Sequence, residues 1–536
     1  MRYLMMITFT LSAIFFSDNN SLPFFEKLVS RLPVSSSSGD NECTIMVISG
    51  QATTDGRPIL WKNRDVTRPD QKYLYIPARN GEDGPTYSFI GNFYADDSYR
   101  CYMGVNEVGF AIINANCYNL TDSRKDGLDD GDIMRLALER CENMADWEEL
   151  LNITNVFGRK DPWMFGVMDA SGAAKLYECG NAAYAVFNAA DAPDGLIVRS
   201  VFGFSGWFTQ NGLQRYRRAR LLTDRRLGYR LFDPSYILNV MSRDFSLACQ
   251  HDSPFDPYPL PYYGHQGDHP IGVVNTSETI NRFKTRSCSV IRGVLPGEDP
   301  HLVTTYAMLG QPVLSIAVPL WVASEYVPLF LRGDEQAPWY ALIEDRMEEL
   351  YPLPGDTGEV FMNSLYLVDS TKAGAFSWTL VKERWAIEQA EEYLDDWRQG
   401  GFSTLDVRQA QNQISQSIWQ CFSNEGDTLV QMEIAGDDIP LTYQIKHTNY
   451  PNPFNLSTTI SFDFNEGTPP DKIIVNIYSI SGAGVANLGE VEIVNGNGNV
   501  RWDGCDDGGI PAAAGVYFYR AKAPGIFTSG KMLLLK

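Results

Sequence analysis

Two rhythms of apolar and polar positions alternate along this chain and locate most of its elements. Apolar residues at every second position mark half-buried strands, and a spacing of three or four marks helices packed by one face. Thr44 to Ser49 reads as a strand, Thr54-Asp55-Gly56 as a tight turn suited to positive φ, and Pro58 to Lys62 as the return strand. A second strand pair is expected over Arg100 to Val105 and Gly109 to Asn114, turning at Asn106 to Val108. Asp130 to Leu151 keeps helical spacing through Ile133, Leu136, Ala137, Cys141, Trp147 and Leu150, with acidic residues near its start. A hairpin follows over Trp163 to Met168 and Ala174 to Cys179. Next come a strand over Gly195 to Phe202, a helix over Gln214 to Thr223 and a charged helical region from Lys382 to Phe422. Strands cluster, then helices, then strands again, which favours an α+β layered fold over a doubly wound parallel one.

The chain changes character at each end. From Tyr450-Pro451-Asn452-Pro453-Phe454-Asn455 onward, short strands are expected over Thr458–Phe464, Lys472–Tyr478, Gly489–Ile493, Val500–Trp502, Gly515–Arg520 and Ser529–Leu535. Gly and Asn turns separate them, the pattern of a small all-β, Ig-like sandwich. At the N-terminus, Arg2 followed by an apolar run from Tyr3 to Phe16 reads as an export signal cleaved near Ser17, and it is shorter than the about 20 apolar residues a spanning helix needs. A polar leader ending Ser35-Ser36-Ser37-Ser38-Gly39-Asp40-Asn41-Glu42 follows, accessible to cleavage by its composition. The expected plan is therefore a signal over 1–17, a leader over 18–42, a catalytic-type domain over 43–424, a join over 425–446 and a β-sandwich over 447–536.

Composition narrows the function classes. A hydrophobic fraction of 44% with 21% charged residues suits a chain that buries a large core. A net charge of −22 argues against nucleic acid, which needs clustered Lys and Arg; the densest basic group, Arg215 to Arg220, is local to one helix. The chain is expected not to span a membrane, because its most apolar later stretch, Pro312 to Phe330, is broken by Pro319 and Pro328 and carries Glu325. Nine cysteines (43, 101, 117, 141, 179, 249, 288, 421 and 505) show neither a CxxC nor a zinc spacing. His265, Asp268 and His269 read as a polar loop rather than a metal site, since Gly267 opposes the helix such a pair needs. No metal, no cofactor and no phosphate loop, dinucleotide fingerprint or Gly-x-Ser-x-Gly elbow is expected.

The candidate chemistry lies at Cys43. A cysteine heading an apolar strand is ordinarily a small buried hydrophobe. Here the hairpin folds Lys62-Asn63-Arg64-Asp65 back beside it, bringing cations and a carboxylate to the thiol, and a neighbouring cation favours the thiolate. Cleavage before Cys43 would create an α-amine with a pKa of about 8, able to take the thiol proton, so that one residue supplies nucleophile and base.

Cys43-Thr44, Asp55-Gly56 and Asn63-Arg64-Asp65 resemble the opening of cysteine-type N-terminal-nucleophile (Ntn) hydrolases. That group includes choloylglycine hydrolases, penicillin V acylases and the isopenicillin N acyltransferase-like branch, which the chain resembles most. Gly104-Val105-Asn106-Glu107-Val108-Gly109-Phe110-Ala111, followed by Asn114-Ala115-Asn116, is similar to a second family block. Looser similarity continues through Ile197–Phe202, Gly212–Ala219, Thr285–Ile291, Gly310-Gln311-Pro312 and Val318–Trp321. The resemblance implies a four-layer αββα domain and a linear amide or peptide substrate. It makes Cys43 the nucleophile, Asp65 the holder of its amine and Asn116 an oxyanion donor, with Lys62, Asn63 and Arg218 as further candidate catalytic residues; Arg215 and Arg218, on the arginine-bearing helix, read equally as a solvated helix face or as part of the site. Release of Cys43 would follow from an N-to-S acyl shift at Glu42–Cys43 or from another protease. Two positions depart from choloylglycine hydrolases: Lys62 stands where they carry Arg, and Val201 where they carry a second oxyanion-side Asn.

The C-terminal segment resembles the sorting domain of the bacterial type IX secretion system, through Tyr450–Asn455, Trp502-Asp503-Gly504, Gly515-Val516-Tyr517-Phe518 and Lys531–Lys536. That resemblance implies type IX machinery as a partner and passage through the periplasm to the cell surface or beyond. The competing readings are a dipeptidase of the related cysteine-nucleophile group and a non-catalytic surface-binding protein that keeps the fold. A papain-like protease would need a partner His in a recognisable context, and none is evident.

Overall fold

The computed structural model describes residues 42–68, 70–81, 84–120, 127–228, 230–246, 273–333, 336–352, 360–367, 375–423, 445–464, 472–479, 484–523 and 526–535. The expected signal, nearly all of the leader, most of the expected join, Cys249, and the loop bearing His265, Asp268 and His269 lie outside the described residues. The chain divides into a unit over Met1–Asp427 and a second over Thr428–Lys536.

The first unit is built on two antiparallel sheets. One runs in the order Leu196–Arg199, Thr44–Ile48 (β1), Ile59–Asp65 (β2), Thr285–Arg292, Thr304–Leu309, Val318–Leu320. The other runs Tyr184–Asn188, Ala174–Cys179, Trp163–Met168, Ala111–Asn116, Met103–Asn106, Phe89–Tyr94, Gln71–Ile76. β2 starts one residue later than expected, because Pro58 has no N–H to give a ladder. It also runs on to Asp65, since it is paired on both edges, Thr44 facing Asn63 and Asn63 facing Cys288. Every residue of β2 is buried, so a Lys-Asn-Arg-Asp run ends up inside the molecule.

One apolar cluster joins Ile45, Val47, Ile113, Ala115 and Met164 from strands of both sheets to Ile343, Ala390, Ile414 and Ile418 from the helices Pro338–Leu350, Ala375–Gly400 and Thr404–Ser423. A second cluster packs Phe89, Phe110, Ile112, Phe165 and Tyr177 against Ile133, Leu136, Trp147 and Leu151. Each buried Val, Leu, Ile, Phe or Met side chain among them contributes about 1.5–3 kcal/mol of apolar transfer. The expected helix over Asp130 to Leu151 is two, Asp130–Arg140 and Met144–Phe157. Asn143 breaks it by capping the second helix, its side chain accepting from the Ala145 and Asp146 N–H groups. Asn106 closes the first, donating to the Leu138 and Cys141 carbonyls at 3.0 and 2.8 Å.

The second unit holds one sheet of Ile445–Tyr450, Thr458–Phe464 and Asn497–Trp502, and another of Gly484–Glu492, Lys472–Ser479, Gly515–Ala523 and Ile526–Leu534. Alternation in Thr458–Phe464 turns Ile460 and Phe462 into a core with Val475, Trp502, Tyr519 and Met532. The strand Ile445–Tyr450, polar in sequence, was not expected. No helix among the described residues is long and apolar enough to cross a membrane.

Candidate active site

β2 sorts its four polar residues by the two-residue period of a strand. On one side, Lys62 donates to the Tyr102 carbonyl at 2.9 Å and also to the Asn114 side-chain oxygen. Asn114 in turn donates to the Asp130 carboxylate at 2.5 Å. Arg64 donates to Gln71 at 2.6 Å and lies over the rings of Tyr94 and Tyr102 at 4.4 and 4.1 Å. On the other side, Asn63 donates to the carbonyls of Ser242 and Ile280 at 2.8 and 3.3 Å. Asp65 accepts from the Thr285 hydroxyl at 2.7 Å, while its second carboxylate oxygen is buried without a hydrogen-bond partner.

Cys43 is 1% exposed. Burial pushes its thiol pKa up; Lys62 is the main influence pulling it back, Asp65 adds to the rise, and the Asp65 backbone N–H hydrogen bonds the sulfur. The expectation that a neighbouring cation would enrich the thiolate therefore does not hold for the uncut chain, because desolvation outweighs the cations. Lys62 shows the reciprocal effect. Burial lowers its pKa to about 8, with Cys43 the strongest group opposing the fall. Burial raises Asp65 to about 6 against the pull of Arg282 and Arg215.

Asn116 is nearly buried; its amide N–H donates to the Tyr118 hydroxyl at 2.9 Å, and its side-chain oxygen has no partner. Arg218 is held away from these groups by Asp244, paired at 2.6 Å. Its helix neighbour Arg215 is the one that reaches the site, 3.8 Å from Glu42. Val201 gives only its backbone carbonyl, accepting from the Tyr118 N–H at 2.9 Å.

Two residues of the site were missed in the sequence. Arg282 pairs with Glu42 at 2.5 Å and lies 4.0 Å from Asp65. Asn281, beside it, is fully buried and neither amide atom has a partner, which is costly unless a ligand group supplies one. Neither stands in a recognisable motif. The only signal was an Asn-Arg pair shortly before Thr285–Ile291. Among the described residues no group of His, Cys, Asp and Glu could hold a metal ion. Eight cysteines are described and all are free thiols.

Residues 52–186 match the family model described as acyl-coenzyme A:6-aminopenicillanic acid acyl-transferase. The matched stretch contains Lys62, Asn63, Asp65 and Asn116, and it begins after Cys43. Among solved structures, penicillin V acylase from Agrobacterium tumefaciens is 15% identical at a TM-score of 0.30, covering 52% of this chain and 86% of that one. Dimeric latent PorU from Porphyromonas gingivalis is 26% identical at a TM-score of 0.15, covering 17% of this chain and only 9% of that one. Likeness at these TM-scores assigns no role to any residue. No curated protein matches the chain.

Removing the charge beside the sulfur has a readable consequence. Lys62→Met takes away the main group that lowers the Cys43 pKa, so the pH midpoint for alkylation of Cys43 by iodoacetamide is expected to move upward. An unchanged midpoint would show that Lys62 does not act on the sulfur.

Proposed function

We propose that this chain is an Ntn hydrolase of the amidase and acyltransferase kind that opens a linear carbon–nitrogen amide bond with Cys43. The observation that carries the reading is the pairing of Thr44 with Asn63, which sets Cys43 beside a strand holding both a buried cation and a buried carboxylate. The match to an acyltransferase family over residues 52–186 supports it.

In the proposed activation, the Cys43 sulfur attacks the Glu42 carbonyl, the Glu42–Cys43 C–N bond breaks with its nitrogen protonated, and water hydrolyses the resulting thioester. The freed α-ammonium would find the unsatisfied Asp65 oxygen as its acceptor. In turnover, the α-amine takes the thiol proton and delivers it to the leaving amine, and water or another acceptor releases the acyl group. Asn116, freed from Tyr118, and backbone N–H groups would hold the oxyanion. The two sheets with their flanking helices are read as a four-layer αββα domain, and the second unit as an Ig-like sorting domain that directs export by the type IX route to the cell surface or beyond.

N-terminal sequencing of the exported protein tests the reading. A chain beginning at Cys43 supports it, and a fully active chain still joined at Glu42–Cys43 overturns it. Asn116→Ala is expected to lower kcat by about 10²- to 10³-fold with a smaller change in KM, as for loss of one oxyanion donor; steady-state kinetics on the processed chain read it. A second reading, a non-catalytic binding protein, rests on Val201, which offers no side-chain donor where choloylglycine hydrolases place an Asn. It predicts that Glu42–Cys43 stays intact.

A further inference from the structure

Glu42 is the residue on the acyl side of the proposed self-cleavage, and its side chain already sits in a built anion site. Its carboxylate is 2.5 Å from the Arg282 guanidinium and 3.8 Å from that of Arg215. Both arginine side chains are deeply buried, at 8% and 1% exposure, while the Glu42 side chain keeps 28%. Arg215 spends its Nε on the Ser200 hydroxyl at 3.2 Å, and its Nη1 makes no hydrogen bond at all. The other acids nearby are Asp65, 4.0 Å from Arg282, and Glu278, a half-exposed carboxylate 3.8 Å from Arg215.

Departure of the leader removes Glu42 and leaves two buried guanidiniums short of one negative charge. A buried cation that loses its partner is costly, and an anion of the same reach would restore the pairing. Guanidinium groups also favour carboxylates over neutral acceptors by their planar set of donors.

We propose that the mature site selects acyl donors carrying a carboxylate at the distance the Glu42 side chain sets from its own carbonyl, that is, glutaryl-like amides held by Arg282 and Arg215. The inference rests on Cys43 being the freed nucleophile. In the reaction the Cys43 sulfur bonds the glutaryl carbonyl carbon, the carbon–nitrogen bond breaks, and the proton passes to the leaving amine. Water then cleaves the thioester, giving glutarate and the free thiol.

The test uses the full processed chain, with its N-terminus checked by mass spectrometry. Turnover of glutaryl p-nitroanilide is compared with that of the same anilide whose free acid is replaced by a carboxamide. The acid is expected to have a kcat/KM at least about tenfold higher, the scale of one hydrogen bond to a charged group. Arg282→Gln should bring the ratio near one, and Arg282→Lys should keep part of the preference. Equal turnover of the two anilides by the wild type, lost in Cys43→Ala, overturns the acidic-substrate inference and leaves the nucleophile standing.

If neither anilide is turned over by a chain that begins at Cys43, alkylation decides. 5-Iodopentanoate, whose carboxylate carbon lies four bonds from the carbon the sulfur attacks, as in a glutaryl group, should then react with Cys43 faster, relative to 5-iodopentanamide, than it does with free cysteine, and the excess should vanish in Arg282→Gln. A ratio no greater than that of free cysteine overturns the inference. A chain that never exposes Cys43, or one active without its sulfur, removes the functional reading itself and this inference with it.

Discussion

Cys43→Ala is expected to leave the Glu42–Cys43 bond whole and to lower amide turnover by about 10⁴- to 10⁶-fold, the scale of losing a catalytic nucleophile. The substitution deletes one sulfur atom from a residue that is 1% exposed, in a setting where Lys62, Asp65 and Arg282 are all retained. The folding cost of so small a cavity is about 1 kcal/mol, so a folded chain without activity is the anticipated outcome. Intact mass measures the missing cleavage, and turnover on the best available amide measures the missing chemistry. Cys43→Ser separates two steps, because a hydroxyl keeps the atom positions but is a weaker nucleophile; slowed cleavage with residual turnover is expected. Full activity in the alanine variant would refute the assignment of the nucleophile.

What the sequence disclosed of this site follows from local geometry. A hairpin of known length with a glycine at its turn, Gly56 at φ +78°, is enough to lay Lys62 through Asp65 beside Cys43. It is not enough to rank burial against charge, because the strand Thr285–Arg292 that seals the other edge of β2 comes more than two hundred residues later. Hence the cations were visible while the raised thiol pKa was not. Arg282 was illegible for the same reason, since its partners Glu42 and Asp65 are distant in the chain. On the helix Leu213–Leu227 the spacing exposed Arg215 and Arg218 equally, and only the packing gives Arg218 to Asp244 and Arg215 to Glu42. The break at Asn143 was legible in principle, as Asn is a strong cap, but continuous apolar spacing through Cys141 and Trp147 overrode it.

The supports of the site join it to the stability of the unit. Asn63 and Trp61, both on β2, bond to Ser242, through its carbonyl at 2.8 Å and its hydroxyl at 2.9 Å. The next residue, Arg243, is anchored to the Pro312 and Ser315 carbonyls, each at 2.8 Å. Asp244 then holds Arg218. A short segment thus ties β2, the helix Leu213–Leu227 and the turn at Pro312 together, and the charge that balances its Arg243 is the carboxylate of Glu383.

Glu383→Ala is accordingly expected to destabilise the first unit by about 3–5 kcal/mol, the cost of breaking a buried pair from one side. Arg243 and Glu383 are both fully buried and bind through two parallel contacts of 2.7 Å. Glu383 also accepts the Ala317 N–H at 2.8 Å, so its removal strands a guanidinium and a backbone donor together. Urea unfolding followed by tryptophan fluorescence should show the midpoint falling with little change in slope. Because Ser242 holds Asn63 and Trp61, turnover by the surviving folded fraction should fall as well, and Glu383→Gln, which keeps the shape and the acceptor for Ala317, should lose less on both counts. The double variant Arg243→Met with Glu383→Leu should recover much of the stability, since replacing a buried ion pair by apolar residues of similar volume is often neutral or better. A Glu383→Ala midpoint equal to the wild type would show that this pair does not hold the segment in place.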